Sequence, residues 1–346
     1  MSLERAAELR AKAGLLREAL TRTGGFRDLA FEPTVTTAGP DLRYRSRLRL
    51  HIDSDGRVGL FAQASHKLVE LDDCLVGPTQ TSSVLELMRA LNRKHPGALG
   101  AYAHAELRVA PAGPPVALRL HPRPGRAPPH EMIRALLDDL SANLALSISG
   151  DRRLSHDDQR WPLWQGLELH CGPSVFSQVN WTVNQALVAR VVEGARQRHV
   201  ARFCDLYCGA GNFTLPLLAA GLAGVAVDRS VASVHSAKRA ARAAGLDHGG
   251  FFAQDVAHKL KELEAARPHF DLVLLDPPRR GARQVLSAVA ELAPRFVLLC
   301  SCDPVTLARD LGSLARDGYH LDEVSAYDMF PHTHHLETLA WMQRDR

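Results

Sequence analysis

From about residue 165 the chain repeats one grammar. A short apolar run ends in Asp, Gly or Pro, a stretch of helical spacing follows, and another apolar run begins. ARFCDLYCGAGNF, GVAVDRS, HGGFFAQDV, FDLVLLDPPRRG and RFVLLCSCDP are the runs. Continuously apolar strands have to be buried on both faces, and the intervening helices supply the cover. The pattern therefore predicts βαβ units and a parallel sheet covered on both sides. In open sheets of this kind ligands lie at the carboxyl ends of the strands, so the punctuation closing each run is where a site is expected.

Upstream the grammar differs. Residues 2–21 have the spacing of an amphipathic helix with Ser2 placed to cap it. Between about 40 and 150, short alternating segments (LRYRSRLRLHI, RVGLFAQA, HKLVELDD, AELRVA, VALRLH) predict antiparallel strands, with helices at SSVLELMRALNRK and HEMIRALLDDLSANL. HPRPGRAPPH reads as a loop. A chain of 346 residues exceeds what one core usually serves. The division expected is a helical segment over 1–40, an α+β domain over 41–160 and an α/β domain over 161–346.

No stretch approaches the length of an apolar membrane span, and the N-terminus lacks the apolar core of a secretory signal, which points to a cytoplasmic protein. Six cysteines without a CxxC pair read as reduced thiols. Monomer is the default expectation. Net charge is +4, and only six of the 42 basic residues are lysine. Placement says more than the total. Arg43, Arg45, Arg47 and Arg49 alternate with other residues, which on a strand would put four guanidiniums on one face, able to grip phosphates or simply to be solvated.

The strand ends supply the chemistry. Gly209 and Gly211 let the backbone turn tightly and approach a ligand after the first run, and Asp228 ends the next, 23 residues after Asp205. Glycines with a spaced acid predict a nucleoside-containing cofactor. The missing third glycine and the missing Lys-Ser/Thr argue against NAD and ATP. Asp276 precedes two prolines that stiffen its loop. Cys302 follows RFVLLC beside a helix that Pro304 can start, where the helix field favours a thiolate. Cys300, inside the strand, reads as a small buried apolar residue. His332, His334 and His335 lack a ligand spacing on one helix face, so no metal is expected. Glu337 precedes the apolar LAWM, where partial desolvation suits a base.

FSQVN (176–180), DLYCGAGNF (205–213), DPPRRG (276–281), SCDPVTLARDL (301–311) and DMFPHTHHLE (328–337) together resemble the RNA uracil-C5 methyltransferases, which make 5-methyluridine in ribosomal or transfer RNA. The resemblance extends to YRSRLRLHI and HKLVELDDC. It implies a class I S-adenosylmethionine-dependent methyltransferase domain, Rossmann-like, with a smaller α+β domain of antiparallel strands. It implies that Gln178, Tyr207, Asn212, Asp228 and Asp276 line the S-adenosyl-L-methionine and uracil sites, with Gln178 and Asp276 nearest the reacting groups. Gln178 is otherwise only a residue at a helix start, since Asn180 can cap the helix that follows. Cys302 would be the nucleophile and Glu337 the general base. Uracil C5 is too weak a nucleophile to take a methyl group until a thiolate adds to C6 and makes C5 an enolate carbon. The uridine must also leave its stack.

Three departures from the family pattern carry expectations. Only Cys74 matches an iron–sulfur ligand of the relatives and residues 1–73 hold no cysteine, so no cluster is expected. The N-terminal barrel (TRAM) domain is not matched, and lacking both barrel and cluster leans toward ribosomal RNA as substrate. Asp303 stands where the family has Asn, and its charge would raise the pKa of Cys302. An RNA-binding protein with a vestigial site is one alternative, with Asp303 as its support. An amino-group methyltransferase is another; Arg279 in place of an aromatic residue, and the Cys302/Glu337 pair, argue against it.

Overall fold

The computed structural model describes residues 4–27, 29, 31–111, 113–125, 133, 144–149, 159–172, 174–246 and 248–345. The C-terminal grammar folds into an eight-stranded sheet. β1 is Val35–Thr36, and β10 to β16 are Arg202–Leu206, Ala223–Asp228, Gly249–Ala253, Leu272–Leu275, Phe296–Ser301, Tyr319–Tyr327 and Glu337–Arg344. Their order across the sheet is β1-β15-β16-β14-β13-β10-β11-β12. β14, β13, β10, β11 and β12 run parallel, while β16 is antiparallel to both β14 and β15. From β10 the chain winds outward to β12, then returns to β13 on the other side of β10. The switch point between β10 and β13 is where such sheets open a crevice.

The central strands are buried on both faces, as their composition requires. Phe203, Leu272, Leu274, Phe296 and Leu298 pack on one side with the helix Trp181–Gln197. Cys204, Leu206, Val273, Leu275, Val297 and Leu299 pack on the other with the helix Pro304–Arg316. Leu16, Ala19 and Leu20 belong to this second core, so the N-terminal helix Arg5–Arg22 is cover for the eight-stranded sheet, and β1 extends that sheet at its edge. Glu4 holds the N-cap position of that helix without a side-chain hydrogen bond, and Ser2 lies outside the described residues.

Lys12 is buried, at 1% exposure, because it reaches Asp328, itself buried, and the carbonyl of Phe330 at 3.1 Å. Arg5 also pairs with Asp328. This network fastens the segment that leads to Glu337. Lys12→Met is expected to cost about 3 kcal/mol, since it strips a buried carboxylate of one of two partners. A thermal melt of the variant checks this.

The smaller sheet has six strands: β2 (Arg47–Ile52), β3 (Val58–Phe61), β4 (Leu68–Glu70), β5 (Tyr102–Ala110), β6 (Gly113–Pro122) and β7 (Leu144–Ile148), in the order β4-β3-β2-β5-β6-β7. All pairings are antiparallel except β6 with β7, a parallel edge that local alternation did not reveal. Its apolar face (Leu48, Leu50, Leu107, Leu118) packs on the helix Thr81–Lys94. The expected helix HEMIRALLDDLSANL lies almost wholly outside the described residues, as do residues 126–130 of the proline-rich loop. A hairpin of β8 (Gln159–Trp164) and β9 (Leu167–Cys171) joins the two sheets. Its Pro162 carbonyl accepts from Trp181 Nε1 at 2.7 Å and from Gln185 Nε2 at 2.9 Å.

Candidate active site

At the end of β10 the chain must turn sharply to enter the next helix. Tyr207 takes φ +67°, a conformation a tyrosine adopts only when its surroundings impose it. Gly209 and Gly211 follow at φ +54° and +88°. A Cβ on Gly209 would meet nothing within 4 Å, so the loop leaves open space there. Asp228, closing β11, accepts from the backbone N–H groups of Gly209 at 3.0 Å and Ser230 at 2.7 Å. The carboxylate thereby ties two loops together. Each oxygen keeps lone-pair capacity for a ribose hydroxyl, so the cradle fits a nucleoside-containing cofactor. Asn212, expected to line the cofactor and uracil sites, ends the same loop. Its carboxamide forms a reciprocal pair with Asn184 of the helix Trp181–Gln197, at 2.8 and 2.9 Å. Asn184 carried no local signal, because its partner lies on another element.

β13 and β14 end beside this loop. Leu275 pairs with Leu299, so the next step of the ladder sets Asp276 beside Cys300. Across β14 and β16, Ser301 faces Thr338, and one step further Cys302 stands opposite Glu337. Ligand atoms of Asp276, Cys300 and Glu337 all lie within 4.8 Å of one another. Cys300 is buried as expected, yet it is more than an apolar filler: its thiol donates to Glu337 Oε1 at 3.3 Å. Asp276 and Glu337 are both pushed well above the usual carboxyl range, first by burial and then, for Glu337, by the charge of Asp276. Two carboxyls this close hold one proton between them more readily than none. Asp205 is likewise lifted, to about 8, by burial; its Oδ2 accepts from Thr214 Oγ1.

Cys302 is half-buried, and its thiol is pushed up by burial first and by Glu337 second, with Arg279 opposing. The helix N-terminus was expected to favour the thiolate; burial acts against it, and Arg279 supports the anion. Asp303 is the N-cap of Pro304–Arg316, its Oδ1 accepting from the Thr306 N–H at 2.7 Å, with Pro304 in the first turn. Asp caps as well as Asn, so the departure preserves the local fold. Gly281, closing DPPRRG, has φ +80°, and a Cβ there would collide with Asp310, Arg309 and Thr306. Gly281→Ala is expected to destabilise by about 2 kcal/mol and to lower methylation at least about tenfold by shifting Asp276. Melting and turnover measured together check it.

Gln178 lies in a loop held by the smaller sheet. Ser46 donates through its N–H to the Val179 carbonyl at 2.7 Å and through Oγ to the Gln178 carbonyl at 3.0 Å. Arg108, buried in β5, donates to the carbonyls of Gly172 at 2.9 Å and Val175 at 2.7 Å. Asn180 caps the following helix through Val183 N–H at 3.3 Å. The Gln178 carboxamide makes no hydrogen bond to a described residue.

The arginine row needs correction. Tyr44, Ser46, Leu48 and Leu50 are buried in the expected alternation, but the strand begins only at Arg47, and Arg43 is left-handed at φ +57°. Arg43 pairs with Asp73, holding that carboxyl down to about 2. Arg47 and Arg49 both donate to Glu106 Oε1 at 2.9 Å. The row is therefore partly neutralised and not one strand face. Among the described residues, no helix is long and apolar enough to cross a membrane.

This sheet order, with a glycine loop and an acid at the switch point, is that of a class I S-adenosylmethionine-dependent methyltransferase. Residues 171–345 match the profile of the tRNA (uracil-5-)-methyltransferase family. The 23S rRNA (uracil(1939)-C(5))-methyltransferase RlmD of Aeromonas salmonicida is 36% identical over 96% of this chain and 77% of its own length. That of Pseudomonas aeruginosa is 34% identical over 98% and 76%. A Pyrococcus abyssi tRNA (uracil-54, C5)-methyltransferase, solved with S-adenosyl-L-homocysteine, superposes with a TM-score of 0.74 at 22% identity, covering 98% of this chain and 84% of the other. The chain belongs to the RNA uracil-C5 methyltransferase family.

Proposed function

We propose that the chain methylates C5 of a uridine in 23S ribosomal RNA, with Cys302 as nucleophile and Glu337 as base. The observation that carries this reading is the convergence of Asp276, Cys300 and Glu337 within 4.8 Å, with Cys302 one ladder step from the β14/β16 pairing and opposite Glu337. The choice of RNA rests on relatives named for that substrate.

S-adenosylmethionine, when bound, supplies the methyl group, and the loop from Tyr207 to Asn212 with Asp228 is where the chain holds it. The remaining work falls to side chains. A uridine swung out of its stack meets Cys302. The half-buried thiol gives its proton to solvent, Arg279 steadying the thiolate, and Sγ bonds to C6 while the C5–C6 electron pair moves toward O4. The neutral member of the Asp276/Glu337 pair donates a hydrogen bond as negative charge builds on the ring. Once C5 carries methyl, the ionised Glu337 takes the C5 proton, the C6–S bond breaks and the Cys302 thiolate departs. Gln178, aimed by Ser46 and Arg108, positions the base, and Arg45, Arg47 and Arg49 lie on the RNA side.

The test is a trap. The protein is incubated with S-adenosylmethionine and ribosomal RNA containing 5-fluorouridine, then run on a denaturing gel. Fluorine at C5 cannot leave as a proton, so an RNA-linked band is expected, and sequencing the linked RNA names the uridine. Cofactor binding with no band on 23S RNA from the native host would overturn the proposal.

A further inference from the structure

We propose a second site, for one divalent transition-metal ion, on the polar face of the smaller sheet, formed by His104, Glu106 and His121. His104 and His121 are direct cross-strand partners on β5 and β6. Glu106, two residues beyond His104, projects from the same face. One ligand atom from each of the three lies within 4.8 Å of the others. Tetrahedral coordination needs neighbouring donors about 3.4 Å apart, from metal–nitrogen bonds of about 2.0–2.1 Å. Closing from 4.8 Å to that spacing requires side-chain rotation. The rings are stacked at 4.1 Å with planes 14° apart, so one imidazole turns about its Cβ–Cγ bond to bring its lone pair round.

A second observation points to a ligand. Nε2 of His104 and Nε2 of His121 are both excluded from solvent and without a hydrogen-bond partner. Glu106 is divided: Oε1 takes both Arg47 and Arg49, while Oε2 faces His121 Nε2 at 3.8 Å, too far for a hydrogen bond. An ion bound through Oε2 and the two imidazoles satisfies both orphaned nitrogens and breaks none of the arginine contacts. The two guanidiniums weaken the site without blocking it. Across β2, His51 faces His104 with centroids 6.5 Å apart, but it stacks on Phe61 and stays outside the triad. Two imidazoles and one carboxylate, leaving a position for water, suit zinc-like ions over magnesium or calcium.

The test is cobalt(II) titration of chelator-treated protein, read by visible absorption, with melting followed in zinc. One equivalent is expected, with the bands of nitrogen and oxygen ligation and no sulfur-to-cobalt charge transfer. Zinc at a hundredfold excess over its Kd should raise the melting temperature by roughly 3 °C or more. His104→Ala and the milder His121→Gln should each lose at least about 100-fold in affinity while melting like wild type without metal. Two outcomes overturn the proposal. One is no metal uptake by wild type. The other is uptake that survives both histidine changes, or that shows sulfur ligation and vanishes in Cys300→Ala, which would place the ion at the catalytic cluster.

Discussion

Cys302→Ala is expected to lower methyl transfer by at least about 10⁴-fold, the scale on which loss of a covalent nucleophile acts. Without the C6 adduct, C5 never becomes an enolate carbon. The variant should therefore also fail to exchange the C5 hydrogen of uridine with solvent, and should form no band with 5-fluorouridine RNA. S-adenosylmethionine affinity should stay within about twofold, since the loop from Tyr207 to Asn212 and Asp228 is untouched. Methylation that persists with the exchange abolished would mean that C5 is activated by another route. The pH dependence has a defined sign. Burial and Glu337 raise the Cys302 thiol, so turnover at subsaturating RNA should climb as pH rises through neutral toward alkaline. Arg279→Ala should move that rise to higher pH by removing the charge that supports the thiolate.

The second large effect is expected from Glu337→Gln. Gln keeps an acceptor for the Cys300 thiol but cannot take the C5 proton, so release of methylated RNA should slow by about 10³-fold. The adduct with ordinary uridine should then accumulate on a denaturing gel already carrying the methyl group. The same change should stabilise the fold at mildly alkaline pH. Burial raises Glu337 in the folded state above its unfolded value, so the folded chain binds that proton more tightly. The contribution to stability is full below the ordinary carboxyl range and is lost as pH rises through neutral. A neutral Gln carries no such loss, and its melting temperature should exceed that of wild type only on the alkaline side. An equal gain at acid pH would show that the buried charge is not the cause.

What the sequence determined by itself follows from short-range rules. Buried parallel strands have to be continuously apolar, so the five parallel strands and their polar ends were legible from 165 onward, while their order across the sheet was not. The cap at Asn180, the helix start at Pro304, and the alternation of Tyr44, Ser46, Leu48 and Leu50, are equally local. Five motifs, each read at the end of a run or just before a helix or strand, were enough to assign the family.

The tertiary structure decided whatever depends on register and desolvation. That Cys302 faces Glu337 follows from the antiparallel β14/β16 pairing, which joins residues 35 positions apart in the chain. Cys300 looks like filler until Glu337 arrives beside it. Nothing local to Asn212 announces that its carboxamide pairs with Asn184 on another element. Arg43 and Arg45 alternate as a strand would, yet the strand begins only at Arg47: Arg43 turns left-handed toward Asp73, and the backbone N–H groups of Arg43 and Arg45 go to the carbonyls of Leu75 and Val76. The triad of His104, Glu106 and His121 is set by the β5/β6 register, and no spacing in the chain announces it. Burial likewise acts against the thiolate at Cys302. A helix terminus is visible in sequence, but the loss of water around the thiol appears only when β14, β16 and the Asp276 loop close around it.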